Sequence, residues 1–543
     1  MRKSVALLAV AAALGGCTRI GSSGPGDTRH PYTVAHEVRY AGAEDISGLN
    51  PLTHGSGVEM TLAQLTMGFL IKTDAHGDAT VPELATVVPS QQNGGISADG
   101  KTIVWHLRRG VKWSDGQPFD ADDVVFSTAQ VNNPANNVVS RDGWDLIEKV
   151  DEPDKYTVVY HLKKPYSSFA VTFFSSGGAN PAVLPKHLLS AYKNLNDVPY
   201  NALPVGIGPF KYARWNRAES VEMVANPLYF RGTPKLQKIV FKIIPDRNVV
   251  LEQMRTHELD LWYPLAPHFE PEVKAIKGVD ILMVPSYFFD HLDFNLSHPV
   301  VQDPAVREAL RYAVDRPLIN AKIRNGIYIM EESPVTPASA YHDNSLKTVP
   351  FDLAKANSIL DAAGWTRGPD GVRSKNGQRL TLNFASTTGS PDTDIEIELI
   401  RGWWKQVGVD FQVKRYLSSQ LFAPAQEGGI IYGGKFDVVP FAWGSDPNED
   451  MSNLYACYRF PPNGQNDLHY CNQQASNAMD KAKETYDRAK RARYLTFVQE
   501  QVYKDVPTIV LDARREIFGY NDDMKNYHPN AVAPFDNFMD VDI

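Results

Sequence analysis

TIVWHLRRGVKWSDGQPFDADDVVFS, residues 102–127, carries the signals of a strand, a turn and a helix in succession. Apolar residues occupy every second position from 103 to 107, which predicts a half-buried strand. Arg-Arg-Gly at 108–110 ends that strand, and Ser-Asp-Gly at 114–116 predicts a turn after a second short strand. The stretch therefore predicts a small unit in which strands lead directly into a helix.

The helix in this stretch is predicted to begin after Asp120, whose side chain suits an N-cap. Asp122 and Asp123 then lie in its first turn, where acidic groups bond with unpaired amides and face the positive end of the helix dipole. We therefore interpret these two carboxylates as capping groups and not as a catalytic pair.

Strand and helix signals alternate along the rest of the chain, which is typical of an α/β protein. Asp303, Asp315 and Asp352 are each predicted to cap a helix, and Gly326 and Gly364 to close the second and third of these helices. Period-two alternation predicts further strands at residues 34–40, 156–162, 239–243 and 380–384.

Length and composition set the broad class. The 543 residues are 43% hydrophobic and 22% charged, which is an ordinary globular composition. A chain of this length exceeds one hydrophobic core, so we expect two or three domains. The net charge of −8 and the absence of a basic stretch argue against nucleic acid as a partner.

The N-terminus predicts export and a lipid anchor. Arg2 and Lys3 precede the apolar run VALLAVAAAL at 5–14, which is about half of the ~20 residues that a membrane-spanning helix needs. Residues 14–17, LGGC, resemble the bacterial lipobox, in which the cysteine is acylated. We therefore predict a signal peptide at 1–16, lipidation of Cys17 and a flexible tether at 17–30; a secretory signal without lipidation is the alternative.

The other two cysteines, Cys457 and Cys471, flank a loop rich in Pro, Asn and Gly. In an oxidising compartment such an isolated pair predicts a disulfide, and closing a loop of about 15 residues would stabilise the fold by about 3 kcal/mol. Two free thiols are the alternative.

Four stretches, taken in chain order, resemble the extracytoplasmic solute-binding proteins of peptide-type ABC importers, the oligopeptide- and dipeptide-binding solute-binding family 5. They are 107–116 (LRRGVKWSDG), 206–210 (GIGPF) with 226–230 (NPLYF), 294–295 (FN) with 303–315 (DPAVREALRYAVD), and 354–365 (AKANSILDAAGW).

The resemblance implies a two-lobed, hinged, periplasmic-binding-protein-like α/β fold of type II, cluster C, with an extra inserted domain. It implies chain crossings between the lobes near 287–295 and 507–511. The implied units are lobe I at 31–75, 204–290 and 509–543, the inserted domain at 76–203, and lobe II at 291–508.

The stretch FAWGSDPNED, residues 441–450, is where the resemblance implies a ligand contact. In peptide-binding relatives a Trp-x-x-Asp sequence at this place supplies the carboxylate that binds the α-ammonium of the peptide, and Asp446 occupies that position. Trp443 would offer a flat apolar wall or a cation–π face. The alternative is that Asp446 caps a helix beginning near Pro447, with Glu449 and Asp450 in its first turn.

The other end of a peptide is harder to place. Ser56 and Gly57, in the sequence His-Gly-Ser-Gly at 54–57, lie where relatives have a loop that lines the pocket, and they could offer backbone amides to an extended peptide. A plain surface turn is the alternative. A carboxylate would suit an arginine, but the sequence does not single one out.

The function implied is the capture of di- or oligopeptides outside the cytoplasm, in the periplasm or at the outer face of the cell membrane. A monomer, held to the membrane only by its lipid, would deliver them to an ABC permease and its ATPase subunits, with no catalysis, cofactor or metal site. The alternatives are a non-peptide cargo (an oligosaccharide, a metal chelate, haem or an antibiotic), a sensory or chaperone role, and a hydrolase using Asp446 with Glu449 or Asp450.

Overall fold

A ten-stranded mixed sheet forms the framework of the protein. The computed structural model describes residues 29–178, 180–445 and 447–543. The predicted signal peptide, nearly all of the predicted tether, Cys17 as the predicted lipidation site and Asp446 as the predicted ligand contact lie outside the described residues. Within the described part, no helix has the length and apolar character needed to cross a bilayer.

The strands and helices follow one another in the alternation that the sequence predicts. The strands are β1 (Glu37–Gly42), β2 (Ile71–Lys72), β3 (Val81–Pro82), β4 (Thr102–His106), β5 (Ile147–Asp154), β6 (Thr157–Leu162), β7 (Phe210–Asn216), β8 (Ser220–Ala225), β9 (Lys238–Ile243), β10 (Leu261–Trp262), β11 (Val279–Phe294), β12 (Thr366–Arg367), β13 (Arg373–Lys375), β14 (Gln378–Arg379), β15 (Thr381–Thr387), β16 (Asp410–Tyr416), β17 (Val438–Gly444) and β18 (Thr508–Asn521). The α-helices are α1 (Gly57–Thr66), α2 (Ala121–Asn132), α3 (Phe169–Thr172), α4 (Lys186–Leu189), α5 (Arg247–Arg255), α6 (Glu270–Lys274), α7 (Pro299–Gln302), α8 (Pro304–Tyr312), α9 (Arg316–Ile323), α10 (Leu353–Ala362), α11 (Pro391–Gln406), α12 (Ser418–Leu421), α13 (Ser452–Tyr455), α14 (Gln473–Glu484) and α15 (Arg488–Asp505).

The predicted helix starts are confirmed, because Asp303, Asp315 and Asp352 each accept a hydrogen bond from an amide in the first turn of the helix that follows. The predicted longer strands are found with small shifts at their ends, but the second short strand expected before the turn at 114–116 is reduced to an isolated bridge between Lys112 and Pro118. The first strand begins at Glu37 and not at residue 34, since His36 adopts a positive φ of 60° within a turn.

Two long strands, β11 and β18, run antiparallel through the middle of the sheet. On one side of them lie β10, β1, β9, β8 and β7, which with α1, α5 and α6 form lobe I; on the other lie β17, β15 and β16, which with α8 to α15 form lobe II. We refer to β11 and β18 as the crossing strands. Their positions agree with the crossings expected near 287–295 and 507–511, and the two-lobed α/β fold is confirmed.

The pairing of the crossing strands is interrupted where the two lobes meet. Pro285 pairs with Arg515 and Phe289 with Ala513, so three residues of β11 stand opposite one residue of β18. Such a bulge bends the strand and turns its side chains. It lies in the floor of the space between the lobes.

One of the three smaller sheets, β4–β6–β5, belongs to the inserted domain, which also contains α2, α3 and α4. Its core is built around Trp105, Trp113 and Trp144. The core also includes Leu52 and residues 67–71, which lie before the predicted limits of 76–203. The residue limits of the three units stay predictions.

Asp123 of the opening stretch has the structural role that we expected. It forms a reciprocal capping box with Asp120, and its carboxylate also accepts hydrogen bonds from Trp113 Nε1 at 3.1 Å and from the Lys186 amide at 2.9 Å. These bonds join the turn, helix α2 and helix α4, and they leave the buried carboxylate well partnered.

The inserted domain also touches lobe II at the connection between α14 and α15. The Ser167 amide donates to the Lys483 carbonyl at 2.7 Å, and the Tyr486 hydroxyl donates to the Gly100 carbonyl at 2.8 Å. Arg488 pairs with Asp78 at 2.8 Å. These contacts join the inserted domain to lobe II through residues outside the crossing strands.

A disulfide joins Cys457 to Cys471, with 4.5 Å between their Cα atoms. It closes the loop between α13 and α14 in lobe II. Close to it, the Cys457 amide donates to the Ser476 hydroxyl at 3.1 Å.

We expect that replacing both cysteines by serine lowers the free energy of unfolding by about 3 kcal/mol, because the unfolded chain regains the entropy of an open loop of about 15 residues. Urea unfolding monitored by circular dichroism measures the change. The wild type under a reducing agent is the control and should match the double variant; equal stability of the oxidised, reduced and serine forms would contradict the prediction.

Candidate ligand-binding cleft

A cleft of about 710 Å³ lies between the two lobes, and the crossing strands form its floor. This volume is within the range of about 300–1,000 Å³ usual for small-molecule sites. The wall from lobe I is formed by residues 263–268, Glu44 and Arg247; the wall from lobe II by residues 440–442, Thr387, Ser390, residues 392–393, Glu396 and Phe422; and the floor by Phe288, Asp290, His291, Ile323, Arg324, Tyr328 and residues 514–517.

Much of the wall is aromatic. Tyr263 on the lobe I side is stacked on Phe518 with ring centroids 4.5 Å apart, so its ring is held in one orientation. On the lobe II side, Phe422 and Phe441 meet edge to face at 5.9 Å. Packed rings give the cleft a fixed apolar surface between its charged groups.

A cluster of charges occupies the floor. Arg514 on β18 binds Asp290 on β11 in a two-point fork, through Nε at 2.9 Å and Nη2 at 2.5 Å. Arg324, which follows α9, has its Nη2 3.3 Å from the Glu396 carboxylate and 3.7 Å from that of Asp290. Asp512 lies beside them, 3.9 Å from Arg324 Nε. The cluster therefore contains three carboxyl groups and two guanidinium groups.

Because the cluster has more carboxyl groups than guanidinium groups, the pKa of one carboxyl group is lowered and the pKa values of the other two are raised. Burial would raise the pKa of Asp290, but the Arg514 fork and Arg324 outweigh it and lower the pKa to about 2. Burial raises the pKa of Glu396 to about 7, with Arg324 opposing the shift. Burial and the neighbouring Asp290 charge raise the pKa of Asp512 well above its usual range. Within this cluster, one proton thus balances three carboxyl groups against two guanidinium groups.

Arg515, the next residue of β18, has no such partner. It lines the cleft, and it makes no hydrogen bond or ion pair with any described residue. Its Nε is shielded from solvent and unpaired. A half-buried guanidinium group without a counter-charge favours the approach of an anion.

Residues 79–465, well over half of the chain, match the family model of the bacterial extracellular solute-binding proteins, family 5, middle region. The chain belongs to this family. The glutathione-binding protein GsiB of Escherichia coli (strain K12) is 26% identical over 454 residues, which cover 82% of this chain and 84% of that protein. The oligopeptide-binding protein AppA of Bacillus subtilis (strain 168) is 23% identical over 469 residues, 84% of this chain and 82% of that protein.

Solved structures agree with the family. The crystal structure of NikZ from Campylobacter jejuni in complex with Ni(L-His) has a TM-score of 0.77 and 25% identity, and the match covers 94% of this chain and 100% of that chain. A family 5 protein is a substrate-binding component of an ABC importer and acts outside the cytoplasm. The cleft described above is therefore the candidate ligand site of this family 5 protein.

The strand that was expected to carry the ligand contact, β17, borders the cleft. Pro440, Phe441 and Ala442 line it, and Gly444 pairs with Phe288 at the bulge of the crossing strands. Trp443 packs against the core beneath α13, α14 and α15 and is not among the residues that line the cleft. Its role as a wall for the ligand stays a prediction, as does the role of Asp446.

The helix expected near Pro447 does not form there. Glu449 adopts a positive φ of 48°, which interrupts a helix, and α13 begins only at Ser452. The interpretation of Glu449 and Asp450 as first-turn acids was therefore wrong. Asp450 forms an ion pair with Lys483 at 2.9 Å and accepts a hydrogen bond from the Ser452 amide at 3.0 Å. Neither acid lines the cleft.

Ser56 and Gly57, the other two predicted ligand contacts, do not line the cleft itself. Ser56 caps α1: the Glu59 amide donates to Ser56 Oγ at 3.3 Å, and the Ser56 amide donates to the Glu59 carboxylate at 3.0 Å. The Ser56 amide is thus engaged within the cap. Gly57 lines a smaller cavity beside the cleft.

Sequence reasoning missed Arg515 and the charged cluster. A local signal existed, because Asp512, Arg514 and Arg515 interrupt the apolar run that begins at the second predicted crossing. Charges in a strand predicted to be buried are uncommon unless they are paired or functional.

We expect the shifted pKa of Glu396 to make stability depend on pH. The folded protein holds the Glu396 proton more tightly than the unfolded chain, so the wild type loses stability as pH rises from about 4.5 to about 7, by on the order of 3 kcal/mol from this group. Glu396→Gln lacks this contribution. Urea unfolding from pH 4.5 to 7.5 should therefore show the wild type falling relative to the variant across that window.

The matched control is Glu398→Gln on the same helix, since Glu398 is exposed and pairs only with Arg401 among the described residues. This control should keep the pH dependence of the wild type. The same pH dependence in Glu396→Gln would show that Glu396 is not the group that titrates.

Proposed function

We propose that this family 5 protein captures small peptides outside the cytoplasm and delivers them to an ABC permease driven by its ATPase subunits. The observation that carries the proposal is Arg515, a guanidinium group without a partner among the described residues, in a cleft of peptide-binding size. The printed names of the relatives support it, since GsiB binds glutathione and AppA binds oligopeptides.

Arg515 is proposed to bind the carboxylate of the peptide. Its neighbour Arg514 is already held by Asp290, and Arg324 lies among Asp290, Glu396 and Asp512. Among the three arginines on the floor, Arg515 is therefore the one that can donate hydrogen bonds to a ligand carboxylate without losing an existing partner. A two-point contact between guanidinium and carboxylate also fixes the direction of the ligand.

Asp446 is proposed to bind the α-ammonium of the peptide. The end of β17 comes to the crossing strands, and the Ser445 amide donates to the Tyr287 carbonyl at 3.1 Å, so the backbone just before Asp446 is anchored beside the floor of the cleft. A buried ammonium needs a fixed counter-charge because it loses its hydration. The role itself rests on the resemblance to peptide-binding relatives.

Capture is proposed to depend on closure of the lobes. The wall residues come from both lobes, so a peptide contacts all of them only in the closed form, and binding shifts the open–closed equilibrium toward it. Lipidation of Cys17 would keep the protein near its permease. No catalysis is proposed, and steady turnover in a peptidase or glycosidase screen would contradict this part.

The cargo has alternatives within the family. The complex of NikZ with Ni(L-His) is the specific observation that favours a metal chelate. Native mass spectrometry of protein purified from cells would separate the two by mass: peptides support the proposal, whereas a metal-containing species would replace it.

We expect Arg515→Gln to lower the affinity for tri-alanine about 10- to 100-fold, because the peptide carboxylate is then buried without its counter-charge. The affinity for tri-alanine amide, which lacks that carboxylate, should change less than threefold. Titration calorimetry measures both. Arg217→Gln, an exposed arginine at the β7–β8 turn, is the control and should bind like the wild type. An equal loss for both peptides would exclude Arg515 as the carboxylate contact.

We expect Asp446→Asn to lower the affinity for tri-alanine at least tenfold and to leave N-acetyl-tri-alanine within threefold of the wild type. The asparagine keeps the size of the side chain but removes the charge that opposes the ammonium. The same calorimetric titrations decide. Equal affinities of wild type and variant for the free-amine peptide would remove Asp446 from the site.

A further inference from the structure

A second cavity opens beside the cleft, and we call it the side pocket. Its volume is about 140 Å³. It shares Glu44, Arg247, Tyr263 and Pro264 with the cleft, so the two spaces are continuous at this edge. Its other walls are Tyr40, Ala43, Gly57, Val58, Thr61, Val250 and Trp262.

The inner walls of the side pocket are buried and, apart from the Tyr40 and Thr61 hydroxyls, apolar. Val58, Val250 and Trp262 have at most 4% of their surface exposed. The Thr61 hydroxyl donates to the Val58 carbonyl at 2.7 Å, so this polar group is already bonded. Such walls favour an apolar group that leaves water.

The charges of the side pocket lie at its mouth. Glu44 and Arg247 are exposed, and both are shared with the cleft. Neither forms an ion pair with a described residue. A ligand that lies in the cleft therefore meets polar groups first and apolar walls beyond them.

The volume sets the size of the occupant. An apolar cavity of about 150 Å³ in another protein holds a benzene molecule. The side pocket is close to that size, so it has room for one branched aliphatic group or one aromatic ring, and not for several residues of a peptide.

All of the walls come from lobe I. They are contributed by β1 and the residues just after it, by the first turns of α1 and α5, and by β10 and the residues that follow it. The side pocket is thus complete without lobe II. An apolar group can enter it while the lobes are open, before the contacts from lobe II are made.

We propose that the side pocket receives one apolar side chain of the cargo and so selects among peptides, with the peptide engaging lobe I first. This inference rests on the proposed function and names the class of side chain that the site prefers. A leucine, valine or phenylalanine side chain fits the pocket in volume and polarity, whereas a charged side chain would lose its hydration there.

Gly57 provides the means to test the side pocket. A Cβ added at this glycine would have no atom within 4 Å, and its φ is not in the left-handed range. A larger side chain there is expected to occupy the pocket without straining the backbone. Gly57 is also the first residue of α1, where replacing glycine does not disturb the Ser56 cap.

The experiment uses the full chain and four peptides: tri-alanine and the three tripeptides in which one alanine is replaced by phenylalanine. For the wild type we expect one phenylalanine peptide to bind at least tenfold more tightly than tri-alanine. Gly57→Leu should remove this preference, so that no phenylalanine peptide binds more than threefold more tightly than tri-alanine to the same variant. Gly57→Ala is the matched control, since its small side chain should retain most of the preference.

A second probe does not depend on peptide binding. Benzyl alcohol is titrated into wild type and Gly57→Leu and followed by NMR, and we expect saturable shifts only in the wild type. If no peptide binds but benzyl alcohol behaves in this way, the side pocket stands and the peptide cargo does not. Peptides that bind without a phenylalanine preference, or benzyl alcohol that behaves alike in both proteins, overturn the proposal.

Discussion

The antiparallel pairing of the crossing strands is the constraint on which the rest of the structure depends. β11 and β18 belong to both lobes at once, so one set of backbone hydrogen bonds holds the two halves of the sheet together. Relative motion of the lobes has to be absorbed where this pairing is weakest. That place is the bulge between Pro285 and Phe289, which leaves three residues of β11 opposite Arg514. The same irregularity directs charged side chains into the cleft.

The charged cluster beside the bulge carries an energetic cost. Burying ions is unfavourable unless each is paired with good geometry, and the third carboxyl of the cluster lacks a guanidinium of its own. Asp290 is fully satisfied by its fork with Arg514, while Arg324 is shared among Asp290, Glu396 and Asp512. In keeping with this deficit, burial raises the pKa of Glu396 to about 7 and that of Asp512 above its usual range. The charged cluster therefore does not need the cargo to balance its charges. Arg514 is already paired with Asp290, whereas the neighbouring Arg515 has no such partner and can bind an anionic group of the cargo.

Interactions between residues close in the sequence could be predicted from the sequence, whereas interactions between residues from distant parts of the chain could not. The caps at Asp120, Asp303, Asp315 and Asp352 depend on residues within one helical turn, so the sequence alone predicts them. The expected helix near Pro447 failed because a single positive φ at Glu449 interrupts it. The cluster on the floor could not be derived, since Arg324 and Asp512 meet only after four elements from distant parts of the chain have packed. The resemblance to family 5 predicted the lobes and their crossings, but the position of Arg515 on the floor depends on the register of β18 against β11.

The contacts between the inserted domain and lobe II limit how strongly closure can be favoured without cargo. They consist mainly of hydrogen bonds at the surface, with a net value of about 0.5–1.5 kcal/mol each, and of two ion pairs, Arg488–Asp78 and Lys164–Glu484, worth about 0–1 kcal/mol each. Contact energies of this size favour the closed form, but they are offset by the conformational freedom that the lobes lose on closing, so binding of the cargo has to supply the remaining free energy.

The binding contacts of the cargo are distributed over different parts of the structure. The side pocket belongs to lobe I, Arg515 belongs to a crossing strand, and the remaining wall belongs to lobe II. A cargo that fills only the side pocket makes no contact with lobe II, because all of the walls of that pocket belong to lobe I. Only a cargo that also reaches lobe II binds the closed form more tightly. Under the proposed function, closure of the lobes therefore depends on the length and the charge of the cargo.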